Sequence, residues 1–210
     1  MSINLKRCLL AALLVLAVAN IAPAQTYLGI RLGSFNPEDA KSGFTIGINT
    51  GRAVDDRIEF GLTADLYIRK FKQETEVGPN PGSGGTDIQT EIEYSMYALP
   101  IMAQLTVNIM PQAIVIPYAA VAVGYEMVYS SESNYELDET DRRFYGGFGW
   151  QLAIGGKYYI GSSSALFGEL FYNGATVKRN KGSNEAGFPV SEELDFSGLG
   201  FRVGIWLGGF

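Results

Sequence analysis

The chain of 210 residues contains no histidine and a single cysteine, Cys8. Without an imidazole, neither a Ser-His-Asp relay nor an Asp-His acid-base pair can be assembled. One thiol cannot close an intramolecular disulfide, and Cys8 lies in a segment that reads as a removable leader. The mature protein is therefore expected to have no thiol chemistry, no metal centre of the cysteine-histidine kind and no cofactor. Charged residues are scarce at 18 %, and beyond the leader there is no long apolar run, yet 47 % of the residues are hydrophobic. A membrane-crossing helix needs about 20 consecutive apolar residues. Hydrophobicity without such runs must be spread by alternation, which is how a transmembrane barrel carries it.

The N-terminus has Lys6 and Arg7, an apolar stretch over 8–19, then Ala22-Pro23-Ala24. A basic start, a short apolar core and small residues before a cleavage point describe a secretory leader cut after Ala24. Cys8 follows the basic pair rather than ending the apolar stretch, so it is not a lipid-attachment cysteine. The division is thus 1–24 leader and 25–210 a single domain. Cleavage leaves 14 basic against 22 acidic residues, a net charge of −8. An exported acidic chain is not expected to bind nucleic acid.

Period-two alternation recurs eight times along the mature chain. It is plainest where Ile58, Phe60, Leu62, Ala64, Leu66 and Ile68 oppose Glu59, Gly61, Thr63, Asp65, Tyr67 and Arg69. Similar segments lie over 27–33, 44–50, 96–107, 120–129, 147–158, 166–172 and 198–207. Eight is the smallest number of strands that closes a membrane barrel, so the expected fold is all-β, an eight-stranded antiparallel up-and-down transmembrane β-barrel. The connections alternate too. Those at 34–43, 70–91, 130–142 and 174–194 are long; those at 51–57, 108–116 and 160–164 are short. Short periplasmic turns and long extracellular loops are the asymmetry of bacterial outer-membrane barrels. The expected location is the outer membrane, with both mature termini in the periplasm.

The face rich in Gly, Ala, Thr and charge is expected to line the lumen, and the bulky face to meet lipid. Outward Phe44, Tyr97, Tyr129, Phe144 and Tyr172 would form an outer aromatic girdle, with Phe60 and Tyr158 at the inner interface. The inward parity also gathers Arg31, Arg69, Lys157 and Arg202 against Glu59, Asp65, Glu126 and Glu169. Buried charges persist only when paired. Their equal numbers favour a self-neutralising network that fills the lumen over an ion route through it. Pro100, in the middle of a strand, removes a ladder hydrogen bond and marks either a bulge or a lateral opening.

The acidic loop with Glu132, Glu136, Asp138, Glu139 and Asp141 lacks the spacing of a calcium loop and reads as solvated. Lys178, Arg179 and Lys181 could contact lipopolysaccharide phosphate, although a solvated turn is the simpler reading. The stretch 78–85, rich in Gly and Pro, reads as a flexible tip.

Gly43-Phe44-Thr45-Ile46-Gly47, Val54-Asp55-Asp56-Arg57, Tyr97-Ala98-Leu99-Pro100-Ile101 and Gly198-Leu199-Gly200-Phe201-Arg202 together resemble the small outer-membrane β-barrels common in the Bacteroidetes, the PorT-like and OmpA/OmpX-like group. The resemblance covers the mature chain. It implies that the terminal Phe210 is the aromatic end read by the barrel-insertion machinery. Phe210 is off the outward parity of Val203, Ile205 and Leu207, and a bulge near Gly208-Gly209 would restore it. The expected function is non-enzymatic, structural or surface-interactive through the outer loops. Passage of small hydrophobic molecules and an accessory role in assembly or secretion are the alternatives. The expected partners are outer-membrane lipid and lipopolysaccharide, the insertion machinery and an extracellular ligand of unknown identity.

Overall fold

The computed structural model describes residues 26–79, 86–134, 139–183 and 189–208. These form β1 (Thr26–Pro37), β2 (Gly43–Ala53), β3 (Ile58–Pro79), β4 (Thr86–Asn108), β5 (Ile116–Asn134), β6 (Glu139–Tyr159), β7 (Ser164–Ser183), β8 (Pro189–Asp195) and β9 (Gly198–Gly208). Each strand pairs antiparallel with its sequence neighbour up to β7, and β9 closes the ring by pairing with both β7 and β1. β8 and β9 are two parts of one stave. Thr176 faces Asp195 and Asn173 faces Gly198, so the register against β7 continues across the break. The fold is therefore a closed barrel of eight antiparallel staves.

Alternation decides which way each side chain points, because a strand places successive residues on opposite faces. In β1, Tyr27, Arg31 and Phe35 are buried while Leu28, Ile30 and Leu32 are exposed. The same parity holds in the other staves, with Ile46, Leu62, Ile101, Val123, Leu152, Leu170 and Val203 all exposed. In a water-soluble protein such a belt would be a severe liability; around a barrel in lipid it is the solvent-facing surface. Of the girdle aromatics, Phe44, Tyr129, Phe144, Tyr172, Phe60 and Tyr158 are exposed and Tyr97 is half-buried.

The turns at one end are built locally. Asp55 accepts from the backbone N–H groups of Arg57 and Ile58, both at 2.7 Å, which folds 54–57 into a tight reversal. Ile160 N–H bonds to Ser164 O at 2.7 Å, with Gly161 at φ +75° in the left-handed region. At the other end the long connections are not loops for most of their length. β3 continues to Pro79 and β4 begins at Thr86, so the expected loop over 70–91 is mainly a hairpin. The same correction applies over 130–142 and 174–194. Once strands leave the membrane neither face need be apolar. The alternation stops there, but the backbone ladder does not.

Strand lengths consequently differ. β1 and β2 have 12 and 11 residues, close to the ~9–11 that a tilted strand needs to cross a bilayer. β3 to β7 have 19 to 23. A tall wall of hairpins stands beside a short one. Pro100 faces inward, and its register with Glu126 of β5 is unbroken. Toward β3 the pairing skips from Ala64–Ile101 to Tyr67–Ala98 without a shift. The missing proline N–H costs rungs of the ladder there and produces no bulge. The leader at 1–24, residues 80–85 of the tip expected over 78–85, and Phe210 lie outside the described residues, while Gly78 and Pro79 end β3.

Candidate functional site in the barrel lumen

The inward face carries three stacked layers. At the end near the short turns, Trp206 lies beside Tyr27, Phe167 and Tyr118, with ring centroids 4.9, 4.7 and 6.0 Å away. Space for these rings comes from glycine on the neighbouring staves. A Cβ at Gly204 would strike the Phe167 ring, and one at Gly29 would strike Trp206. At the opposite end, Phe35 packs on Phe171 at 5.5 Å and Phe196 at 5.3 Å, and Tyr67 meets Phe196 edge-on at 5.4 Å. Gly200 leaves room for the Phe171 ring in the same way.

Between the aromatic layers lies the charge. Arg31 donates from Nε to Asp65 Oδ1 at 2.7 Å and from Nη2 to Oδ2 at 2.6 Å, a two-pronged contact. Arg202 Nη1 donates to the same Asp65 Oδ2 at 2.9 Å, and its Nε lies 2.7 Å from Glu169 Oε1. Arg31 Nη1 reaches Glu169 at 3.5 Å, and Tyr118 donates its hydroxyl to Glu169 Oε2 at 2.9 Å. Two guanidinium groups and two carboxylates thus close a ring, with none of the four residues more than 5 % exposed. The Arg202 guanidinium also sits 4.0 Å over the centre of Phe171. Nearer the short turns, Lys157 pairs with Glu59, to which Asn108 Nδ2 also donates at 2.8 Å. The Lys157 ammonium lies 4.8 Å over Trp206.

The eight charges expected in the lumen therefore separate. Arg31, Asp65, Glu169 and Arg202 form the ring, and Lys157 with Glu59 forms the second pair. Arg69 is outside it, a correction to the single network. It lies at the rim with the tall hairpins, one step beyond the Phe44–Ile68 rung at the start of β2, and it donates to Ser42 O at 2.9 Å. Glu126 is fully buried, yet neither carboxylate oxygen has a hydrogen-bond partner among the described residues. With Arg69 removed, the buried lumen holds three cations and four carboxylates. Glu126 is the excess. Asn173 is a side-chain donor beside Glu126 and gives one of its two amide N–H bonds to Phe196 O at 2.9 Å.

Phe196 occupies the break between β8 and β9. Ala175 N–H turns to the Ser197 hydroxyl at 3.1 Å instead of a ladder carbonyl, and Phe196 N–H bonds Ala175 O at 2.8 Å. Above the break, hydrogen bonds from Ser197 hold the Asp195 carboxyl below the usual carboxylate range. Beneath Phe196 a cavity lined in part by Thr45, Pro100 and Asn173 has room for about 20 Å³, one water molecule. The aromatic layers are what the sequence reading missed. Tyr67, Phe167, Phe171 and Trp206 stand on inward parity as large residues on an otherwise small face, the signal that could have found them.

Comparison with solved structures places this architecture among bacterial surface barrels. Neisserial surface protein A aligns with a TM-score of 0.55 at 14 % identity, over 87 % of this chain and 96 % of that one. OprG of Pseudomonas aeruginosa gives 0.56 at 10 % identity, over 88 % and 96 %. The attachment invasion locus protein Ail of Yersinia pestis, solved with the heparin analogue sucrose octasulfate, gives 0.51 at 11 % identity, over 89 % and 97 %. No curated protein matches at the level of sequence. The family model described as outer membrane protein beta-barrel domain matches residues 8–205. The chain belongs to that family, and its eight-stranded barrel resides in the outer membrane.

Proposed function

We propose that this barrel is a closed, non-enzymatic outer-membrane protein whose work is done at its outer surface rather than through its lumen. The observation that carries this reading is the filled interior: a ring of paired charges clamped between two aromatic layers. An eight-stranded barrel is only wide enough for its own side chains to fill. Tall hairpins on β3 to β7 supply the surface, and the short turns at the other end support periplasmic termini. Lipopolysaccharide, the insertion machinery and an extracellular ligand are the proposed partners, with no role for nucleic acid. The narrower PorT-like affinity, with an accessory role in assembly or secretion, rests on the strand motifs alone.

Planar-bilayer recording tests the reading. Wild-type protein should show no steady conductance, whereas stable ion-selective current would overturn it. Passage of hydrophobic molecules through the wall is disfavoured because β4 keeps its register with β5 through Pro100 and, across the rungs missing at 99–100, with β3. Uptake of an apolar dye into vesicles, faster with the barrel than without it, would restore that alternative.

A further inference from the structure

Three cations lie at the rim over the short side of the barrel: Lys41 in the β1–β2 turn, and Arg69 and Lys70 on successive, oppositely facing positions of β3. Lys70 and Lys41 are exposed and Arg69 is partly so; none has a carboxylate partner among the described residues. Elsewhere on the rim, two cations have carboxylate partners within the protein. Arg143 lies 2.8 Å from Asp141 and 3.7 Å from Glu132, and Lys178 lies 2.5 Å from Glu193. The basic group expected over 178–181 is thus partly spent, while this one has no carboxylate partner among the described residues.

The site is held in place from both sides. Tyr67 donates its hydroxyl to Lys41 O at 2.6 Å and Arg69 donates to Ser42 O at 2.9 Å, which fastens the β1–β2 turn against β3. The Lys41 ammonium sits 4.9 Å over the Phe71 ring. Arg69 uses one N–H of five in that latch, leaving the remainder for a ligand. A surface groove of about 350 Å³ opens between Ser34, Ser42, Phe44 and the Ile68–Lys70 edge of β3. Below it the outward face becomes an apolar column. Ile68 faces Phe44, Leu66 faces Ile46 and Ala64 faces Ile48 across the β2–β3 ladder. Phe44, Ile46, Ile48 and Leu66 are all exposed, so the column lies open to lipid.

We propose that this rim binds a phosphorylated glycolipid of the outer leaflet, with Lys41, Arg69 and Lys70 on its phosphate groups and an acyl chain along the Phe44–Ile68 column. Charge complementarity selects the occupant. Free cations above a strip of exposed hydrocarbon match an anionic headgroup on an acyl chain, and a neutral lipid would leave them unanswered. The inference rests on the proposed orientation, because only the outer leaflet carries lipopolysaccharide at this level.

The test uses the refolded full barrel in detergent, titrated with bis-phosphorylated lipid A or with the same lipid dephosphorylated, and read by native mass spectrometry. Wild type should retain one phosphorylated lipid. Lys41→Gln, Arg69→Gln and Lys70→Gln combined should weaken it by about tenfold or more, the loss of at least one charge-assisted contact. A control with Arg142→Gln, Lys178→Gln and Arg179→Gln should bind as wild type. Heat-modifiable electrophoretic mobility checks folding, and Lys70→Gln alone serves if the triple variant does not fold. Equal binding by the rim variant, equal loss in the control or indifference to the phosphates would each overturn the proposal. Orientation is read separately. Ser133→Cys should react with an impermeant maleimide on intact cells and Asp56→Cys should not; the reverse would defeat the orientation and with it the lipid site, whereas correct labelling with a failed lipid titration would overturn the lipid site alone.

Discussion

Replacing Arg31 by methionine isolates what the charge ring contributes. Arg31 makes two hydrogen bonds to Asp65 and a longer one to Glu169, and is 1 % exposed. Removing one partner of a buried ion pair costs ~3–5 kcal/mol, since the other charge remains in a low-dielectric site. Here Asp65 keeps Arg202 at 2.9 Å and Glu169 keeps it at 2.7 Å, so neither carboxylate is stranded. The expected loss is therefore at the lower end, about 3 kcal/mol. In urea unfolding of the refolded barrel in lipid vesicles, a slope of roughly 1–3 kcal/mol/M turns this into a midpoint shift of about 1–3 M. Adding Asp65→Asn should cost less than the sum of the two single changes, with a coupling of ~0.5–3 kcal/mol. Arg69→Met, at the rim with one bond to a carbonyl, should cost less than about 1 kcal/mol. Arg31→Met no more costly than Arg69→Met, or strict additivity with Asp65→Asn, would refute the ring as a stabilising unit.

Four other outcomes can be measured on the same refolded barrel. Glu126→Gln should hold or raise the urea midpoint, because the change removes a buried carboxylate that no cation answers; a loss comparable with Arg31→Met would show a hidden partner. Leu62→Arg places a charge on the exposed lipid face within the apolar 58–68 part of β3 and should cost ~2–4 kcal/mol in a bilayer; equal stability in vesicles would argue against lipid contact. Phe196→Ala removes the ring that meets Phe35 and Tyr67, and should cost about 3 kcal/mol while loosening the outer aromatic layer; unchanged stability would mean that this layer is not packed. Gly204→Val forces a branched side chain into the Phe167 ring and the Ile30 carbonyl and should prevent native closure; a normal heat-modifiable band from this variant would contradict the packing.

The lipid face was legible in the sequence because a bilayer demands an uninterrupted apolar surface, and alternation is the only way a strand provides one. Ile58 to Ile68 could point nowhere else. Stave lengths were not legible, because beyond the membrane the hydrogen-bonded ladder of β3 with β4 persists without any apolar pattern to announce it. That same blindness concealed the outer aromatic layer. Phe35 fell in the stretch read as a loop over 34–43 and Phe196 in the unassigned gap between 194 and 198, so their inward parity could not be seen. Charge pairing needed the register. Arg31 lies 34 residues from Asp65 and 138 from Glu169, and only the stacking of staves brings the three together. The apparent balance of four positive and four negative groups was an accident of counting Arg69, which stands on the right parity but one step above the last β2 rung, Phe44–Ile68.

The uneven outer rim gives that miscount its meaning. Above the ends of β1 and β2, β3 has β4 as its ladder partner and β8 has β7, so among the described residues each presents one open backbone edge toward the gap. An open edge invites another strand, and proteins blunt it with charge. The two edges are blunted with opposite signs. β8 carries Glu192 and Asp195 beside the Lys178–Glu193 pair, whereas the β3 side carries Arg69 and Lys70 with Lys41 in the adjoining turn. An incoming peptide strand would have to desolvate one set or the other without a matching partner. An anionic headgroup needs only the β3 side, and it meets that side where the apolar column begins. The short hairpin is therefore not a defect in the wall. It lowers the rim to the height at which a phosphorylated lipid can reach three cations that the lumen does not use.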